Sequence, residues 1–218
     1  QDAIIVSMKS DGSWATTDAM FYFLGDGDSD FKNINWKNPT GAKASEVGAG
    51  TLTYASTGIT GDGTNYLDLG WNPTDDGSNY IQNDFSIAID IVTANSSDTS
   101  LLEGYVSGTT RSLNMQNNNT FHYLHSTGSG SRILSDASGT GFFIWDFLTD
   151  TGYLSEDGSI IDTEGSKTTD SFPATDFSLF KNGGSGRGDC EIGSIIIGAS
   201  LNGSGTEHTD LYNAINGI

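Results

Sequence analysis

The segment GDGDSD carries three aspartates at alternate positions, Asp26, Asp28 and Asp30. Carboxylates at this spacing resemble the start of a calcium-binding loop. An EF-hand loop also needs glycine at its sixth position and glutamate at its twelfth. Counted from Asp26, these positions hold Phe31 and Lys37. The segment is therefore predicted to be a polar turn, and a calcium ion held by the three aspartates is the weaker alternative.

Paired carboxylates are the next candidates, because retaining glycosidases place two carboxyl groups about 5 Å apart. The segment EDGSIIDTE carries Glu156 and Asp157 in a predicted turn, followed by Asp162 and Glu164 on one face of a strand. The laminarinase-type pattern E-x-D-x-x-E is absent. We predict a solvated hairpin and no catalytic residues, with a glycan-degrading site at Glu156 or Glu164 as the alternative.

Histidine and cysteine chemistry is not favoured either. His122 and His125 are three residues apart on a predicted strand, so they face opposite sides and do not chelate a metal from one face. His208 falls in the first turn of a C-terminal helix and is predicted to be a surface or partly buried structural residue. Cys190 precedes the apolar run EIGSIIIG and is predicted to be a small core residue. No nucleophile elbow, P-loop or dinucleotide fingerprint is present.

The charge balance excludes some classes of partner. The 218 residues include 9 basic and 28 acidic side chains, for a formal net charge of −19. Such a surface repels nucleic acid and anionic membranes. No apolar run is long enough for a transmembrane helix, and the N-terminus lacks the features of a signal peptide. Neither nucleic-acid binding nor membrane insertion is expected.

Period-2 alternation of apolar residues dominates the chain from about residue 50. In FSIAIDIV, Phe85, Ile87, Ile89 and Ile91 share one face, which predicts a half-buried antiparallel strand. Similar short segments recur between turns rich in Gly, Asn, Asp and Ser. This pattern predicts an all-β, antiparallel jelly-roll sandwich. Residues 1–50 are predicted to form a helical or irregular lead-in, packed on the sandwich or on a neighbouring subunit, and residues 51–218 the jelly-roll domain.

Helices are predicted only at the two ends of the chain. DAIIVSMKSDG is expected to form a short helix closed by Gly12, and SWATTDAMFYF a second one capped by Ser13. The C-terminal segment predicts another short helix, with Leu211, Ala214 and Ile215 on one face and Thr206 or Thr209 as its cap.

Aromatic side chains could stack on sugar rings, but in alternating strands they are more often core residues. The candidates are Trp71, Tyr80, Tyr105, Tyr123, Trp145 and Tyr153. Trp71 and Trp145 share strand parity with apolar neighbours and are predicted to lie in the core. Tyr80, in a turn-rich stretch, is the least clearly core. No glycan-binding residue is assigned from the sequence.

The placed segments resemble a known family. GTNYLDLGWNPTDDGSNYIQNDFSIAIDIV is similar to the central strands of concanavalin A-like (laminin-G-like) jelly rolls, and EIGSIIIGASLNGSGTEHTDLYNAI to their final strand and closing helix. The opening DGSWATTDAMFYFLG resembles the version found in bacteriophage tail and virion structural proteins. The resemblance spans nearly the whole chain, and no catalytic or calcium-binding residue of the family carries over.

The resemblance implies a non-enzymatic bacteriophage virion protein, such as a spike, fibre or decoration element on the particle surface. Its expected partners are other virion proteins, further copies of itself and host cell-surface glycans. No cofactor is expected, with calcium as the exception noted above. The first alternative is a secreted or surface bacterial carbohydrate-binding module, and the second is a polysaccharide lyase or hydrolase.

Overall fold

The computed structural model describes residues 2–96, 99–105, 111–117, 121–126, 131–136, 139–166, 172, 174–182, 185–186, 188–203 and 205–217. Helices within these residues are α1 (Asp2–Asp11), α2 (Ser13–Thr16), α3 (Ser29–Lys32) and α4 (Gly205–Asn216). The strands are β1 (Thr17–Tyr22), β2 (Ser45–Val47), β3 (Thr53–Ala55), β4 (Gly58–Thr60), β5 (Tyr66–Asp68), β6 (Asp84–Thr93), β7 (Thr99–Tyr105), β8 (Arg111–Asn117), β9 (Phe121–Ser126), β10 (Ser131–Asp136), β11 (Gly141–Leu148), β12 (Thr151–Glu156), β13 (Ser159–Glu164), β14 (Phe177–Leu179), β15 (Lys181–Asn182), β16 (Ser185–Gly186) and β17 (Glu191–Gly198).

Two antiparallel sheets form a sandwich. The eight-stranded sheet has the order β13-β12-β11-β6-β17-β4-β3, with β1 also paired to β17, and the seven-stranded sheet has the order β10-β9-β8-β7-β14-β5-β2. Neighbours such as β6 and β17 are far apart in sequence and pair antiparallel, as in jelly rolls. The predicted antiparallel sandwich with short terminal helices is confirmed.

The main core lies between the sheets. Phe85, Ile87, Ile89 and Ile91 of β6 all belong to it, as the alternation predicted. The prediction that β6 is only half buried is wrong, because Ala88 on its other face is also buried.

A second apolar layer explains this burial, since α1 and α4 pack on the outer face of the eight-stranded sheet. Its buried members are Ile4, Met8, Met20, Ala88, Phe142, Ile144, Ile196, Leu201, Leu211, Ala214 and Ile215. No helix in the described part of the chain is long and apolar enough to cross a membrane.

The predicted second helix is wrong beyond its first turn. The helix α2 ends at Thr16, and the chain continues as β1, paired with β17. The segment forms a strand because its side chains alternate between two apolar layers. Ala19 and Phe21 enter the core between the sheets, whereas Met20 enters the layer under the helices. A strand covered on both faces buries every residue, so its alternation is hidden in a run of apolar letters.

The first N-terminal helix and the C-terminal helix are present as predicted, whereas the N-cap of α2 is Gly12 and not Ser13. Gly12 has a φ of 91° directly after α1, a left-handed conformation that favours glycine. At the other end, Leu211, Ala214 and Ile215 are buried as predicted. The cap prediction is wrong, because Thr206 and Thr209 both lie inside α4. The Oγ1 of Thr209 donates to the carbonyl of Gly158.

The predicted aromatic core residues are confirmed, since Trp71 and Trp145 are buried. Tyr80, the least clearly core of these aromatics from the sequence, is also a core residue. Its ring is 1 % exposed and contacts the rings of Trp71, Phe85, Phe172 and Phe177.

Candidate functional site

An open groove of about 600 Å³ lies directly after β1. Its lining residues are Tyr22, Leu24, Gly25, Asp26, Gly27, Asp28 and Phe31. The groove therefore combines two aromatic rings, two carboxylates and two glycines, and it contains most of the GDGDSD segment.

The groove exists because β1 and β4 share one neighbour. Both strands pair with β17, β1 along its second half and β4 along its first. Between them the chain leaves the sheet, with the amide of Phe23 donating to the carbonyl of Gly193 at 2.9 Å and that of Gly25 to Ser56 at 2.7 Å. These hydrogen bonds hold the segment Phe23–Gly25, where the chain leaves the sheet, at both of its ends. The groove is therefore built on the sheet rather than on a free loop.

Phe31 forms one wall and is held from two sides. Its ring meets that of Trp36 edge-on, with the centroids 5.0 Å apart. On another side Gly27 packs so closely that a Cβ there would collide with the ring of Phe31. Phe31 is thus positioned while its ring stays partly exposed.

Tyr22 also lines the groove. It pairs with Ser194 of β17, which pairs in turn with Asp90 of β6, so the three residues form one row across the sheet. Tyr22 is half-buried. Partial burial, and secondarily the charge of Asp90, raise the pKa of its hydroxyl. The phenol therefore stays protonated and can donate a hydrogen bond.

The three aspartates of GDGDSD have different positions. Asp28 is the N-cap of α3, and its Oδ1 accepts from the amide of Phe31 at 2.9 Å. Asp26 lines the groove beside it, whereas Asp30 lies in the first turn of α3 and is exposed. The predicted turn therefore continues into one turn of helix. Among the described residues, no group of three carboxylate, imidazole or thiol side chains could hold a metal ion, so a calcium site stays an untested prediction.

Two further charged residues, Lys32 and Asp90, interact with residues of the groove without lining it. Lys32 is 1 % exposed, and its ammonium donates to the carbonyl of Ala55. Desolvation lowers the pKa of this ammonium, against the opposing effect of Asp26 and Glu191. The second residue is Asp90. Burial, and secondarily the charge of Asp157, raise the pKa of its carboxyl to about 6.

Gly193 brings Asp90 close to the groove. A Cβ at residue 193 would collide with the carboxylate of Asp90 and approach Cδ2 of Leu24 to 3.0 Å. The carboxylate of Asp90 and the groove residue Leu24 therefore share the space that a side chain would otherwise occupy.

The structure separates Glu156 and Glu164, the two glutamates of the predicted alternative site. Glu156 pairs with Ser159 next to the hairpin turn, whereas Glu164 pairs with Gly152 at the far end. Five strand positions separate them by roughly 15 Å, beyond the separation of about 5–9.5 Å that glycosidases use. The predicted hairpin itself is confirmed.

The described histidine and cysteine side chains, His208 and Cys190, are both buried. The pair of His208 and Asp146 is fully buried, so the expectation of a surface or partly buried His208 is wrong. Cys190 is buried as predicted, and burial raises the pKa of its thiol. His122 and His125 lie in β9, but their side chains, like those of Tyr105 and Tyr123, are outside the described part of the structure.

The outer face of the seven-stranded sheet is a second candidate surface, because the register aligns polar residues across it. The row runs through Ser45, Asp68, Ser178 and Glu103. Glu103 and Ser178 at the centre of the sheet are 0 % and 1 % exposed. Lys181 lies over the ring of Tyr66, 4.7 Å from its centroid. The described centre of this face is therefore closed to a ligand.

A smaller cavity of about 180 Å³ lies between α1, α2 and α4. It is bordered by the carboxylates of Asp11, Glu207 and Asp210 and has no aromatic side chain in its lining. The groove at Tyr22 and Phe31 is therefore the better candidate for an organic ligand.

Comparison with known proteins places the fold. No protein-family model and no curated protein matches the sequence. Solved structures do match. Domain 4 of AbnA, an extracellular arabinanase from Geobacillus stearothermophilus solved with arabinotriose, has a TM-score of 0.64 at 14 % identity, over 90 % of this chain and 98 % of that domain.

Two larger proteins contain a similar sandwich. Trypanosoma rangeli sialidase, solved in complex with sialic acid, has a TM-score of 0.62 at 10 % identity over 96 % of this chain. Botulinum neurotoxin type C, whose cell entry depends on two ganglioside molecules, has a TM-score of 0.60 at 13 % identity over 94 % of this chain. The chain spans 37 % of the sialidase chain and 52 % of the toxin chain. At these identities the likeness establishes a β-sandwich fold.

Sequence reasoning found the carboxylates of the groove but missed its aromatic walls. The sequence predicts a helix at Tyr22, and it marks Phe31 only as the residue that breaks the calcium motif. The alternation of buried residues through β1, once recognised as a strand, is the signal that would have placed Tyr22 at the end of a sheet.

Proposed function

We propose that this chain is a non-catalytic glycan-binding domain and that the groove at Tyr22, Phe31, Asp26 and Asp28 is its binding site. The observation that carries the proposal is the juxtaposition of two partly exposed aromatic rings with two carboxylates in one open groove. Aromatic faces cover the apolar face of a sugar ring, and carboxylates accept hydrogen bonds from its hydroxyls.

The fold supports this proposal without deciding it. The similar structures include an arabinanase domain solved with arabinotriose and a sialidase solved with sialic acid. One fold hosts many functions, so the groove and not the likeness has to carry the argument. A binding role is favoured over catalysis because Glu156 and Glu164 are far apart and the His208–Asp146 pair is inaccessible.

Two settings are compatible with glycan binding. The arabinanase domain belongs to an extracellular enzyme, which supports a secreted or surface carbohydrate-binding module. The resemblance of the opening segment to bacteriophage proteins supports a virion spike or fibre, with other virion proteins and further copies of the chain as partners. Mass spectrometry of purified particles, culture medium and cell envelopes from the source separates the two settings by where the chain is recovered.

Glycan-array screening followed by calorimetry tests the binding proposal. Tyr22→Leu and Phe31→Leu keep an apolar side chain but remove the flat ring, and each is expected to weaken binding about tenfold, a loss of ~1.4 kcal/mol. Tyr212→Leu is the matched control, because Tyr212 is a half-buried aromatic that packs against Phe142 away from the groove. Absence of glycan binding, or equal losses in all three variants, would contradict the proposal.

A further inference from the structure

The electrostatics of the groove narrow its ligand class. None of its seven lining residues is basic, and two are aspartates. The chain as a whole carries a formal charge of −19. Uronic, sulfated and sialylated glycans are therefore repelled both at long range and in the groove, whereas cationic ligands are attracted.

Lys32 does not cancel the negative potential that a ligand in the groove would meet. Lys32 is buried and donates to the carbonyl of Ala55. It interacts with Asp26 without lining the groove. Asp28 uses one carboxylate oxygen for the cap of α3, and within the described residues its other oxygen accepts no hydrogen bond. Each carboxylate oxygen accepts about two hydrogen bonds, so Asp28 can still accept from a ligand.

The aromatic walls favour the same class of ligand. The faces of Tyr22 and Phe31 carry negative electrostatic potential, which attracts a cation within about 6 Å of the ring centroid. A sugar with an ammonium group can thus stack on a ring through its C–H face and direct its charge toward Asp26 or Asp28. A carboxylated sugar gains only the stacking.

We infer that the groove selects glycans with free, protonated amino groups over neutral and acidic glycans, an inference that rests on the proposed function. The two aspartates that line the groove act as the counter-charges, and Tyr22 and Phe31 supply the surface on which the amino sugar lies. This assigns GDGDSD to ligand selection rather than to a calcium loop.

The experiment compares three oligosaccharides of equal length by calorimetry at about pH 5.5, where amines are protonated. The probes are a glucosamine oligomer, its fully N-acetylated counterpart and a galacturonic acid oligomer. The glucosamine oligomer is expected to bind about tenfold more tightly than the acetylated one, with the preference falling as salt screens the charges. The galacturonic acid oligomer is expected to bind most weakly.

The aspartate variants locate the effect. Asp26→Asn and Asp28→Asn should each reduce the preference about threefold or more, and Asn is as good an N-cap as Asp, so Asp28→Asn keeps α3 intact. Asp30→Asn is the matched control, since Asp30 lies in α3 but not in the groove lining. Equal binding of the free-amine and acetylated oligomers, or equal effects of all three variants, overturns the inference while glycan binding stands. Failure of every glycan to bind overturns the proposed function as well.

Discussion

Nε2 of His208 lies 3.0 Å from Oδ2 of Asp146, and neither side chain is exposed to solvent. The same carboxylate accepts from the amide of Leu201 at 3.0 Å and from that of Gly203 at 2.8 Å. A single residue of β11 therefore fixes both the turn after β17 and the first part of α4. This arrangement makes Asp146 the anchor of the C-terminal helix on the sheet.

Replacement of Asp146 by alanine is expected to lower the free energy of unfolding by about 3–5 kcal/mol, because it leaves buried donors without their acceptor. Urea denaturation followed by circular dichroism measures this loss. Asp150→Ala is the matched control, since Asp150 lies at the exposed turn after β11 and should change stability by about 0.5 kcal/mol or less. A similar small effect for both variants would show that Asp146 does not anchor α4.

The sandwich could be predicted from the sequence because strand patterns are local. Phe85 to Ile91 alternate, and the turn residues between strands are explicit. The pairing of Asp146 with His208 could not be predicted, because 62 residues separate them and no local pattern links them. The same limit applies to Tyr80, whose burial depends on rings that arrive from other parts of the chain.

The groove was predictable in part. Its aspartates stand out as a spaced motif, whereas its walls depend on tertiary structure. Tyr22 lies in a strand buried on both faces, which local apolar patterns do not separate from a helix. Phe31 borders the groove because Asp28 caps a short helix and Trp36 packs on the ring. These contacts follow from where β1 leaves the sheet.

Asp18 should be a second stability determinant. Its carboxylate accepts from the amides of Ser78, Asn79 and Tyr80, at 3.0, 2.7 and 2.7 Å. Asp18→Ala is expected to cost about 2–4 kcal/mol, since three amides lose their acceptor. Urea denaturation is again the measurement, with exposed Asp75→Ala as control. Equal stability of the two variants would argue against this role.

Replacement of Tyr80 by phenylalanine should stabilise the protein. In the described structure its buried hydroxyl has no hydrogen-bond partner, and burial raises its pKa well above the usual value. Tyr80→Phe removes this polar atom and is expected to raise the unfolding free energy by about 1 kcal/mol. Tyr80→Leu removes the ring contacts and should instead lower it by about 2–4 kcal/mol. Thermal and urea unfolding distinguish the two. A loss of stability in Tyr80→Phe would mean that the hydroxyl has a partner.

Asp90 should make stability depend on pH in an unusual direction. Its pKa rises from 3.8 to about 6 on folding, first through burial and then through the charge of Asp157. Between these values the folded state binds more protons than the unfolded state, so this residue's contribution to stability falls as pH rises from about 4 to 6. Above that window the carboxylate is charged in both states, and the cost of burying it persists.

Asp90→Asn removes the titrating group. The unfolding free energy of the variant should therefore increase relative to that of the wild type as pH rises through the same window. The gain is expected to reach about 1–2 kcal/mol above pH 6, after allowance for the partial exposure of the carboxylate. Urea denaturation at intervals from about pH 3.5 to 7.5 measures the difference at each pH. Asp150→Asn, at an exposed turn, should show no such pH-dependent increase in stability. A constant difference across the range would mean that Asp90 titrates alike in both states, and a difference of the opposite sign would mean that its charged form is stabilised by folding.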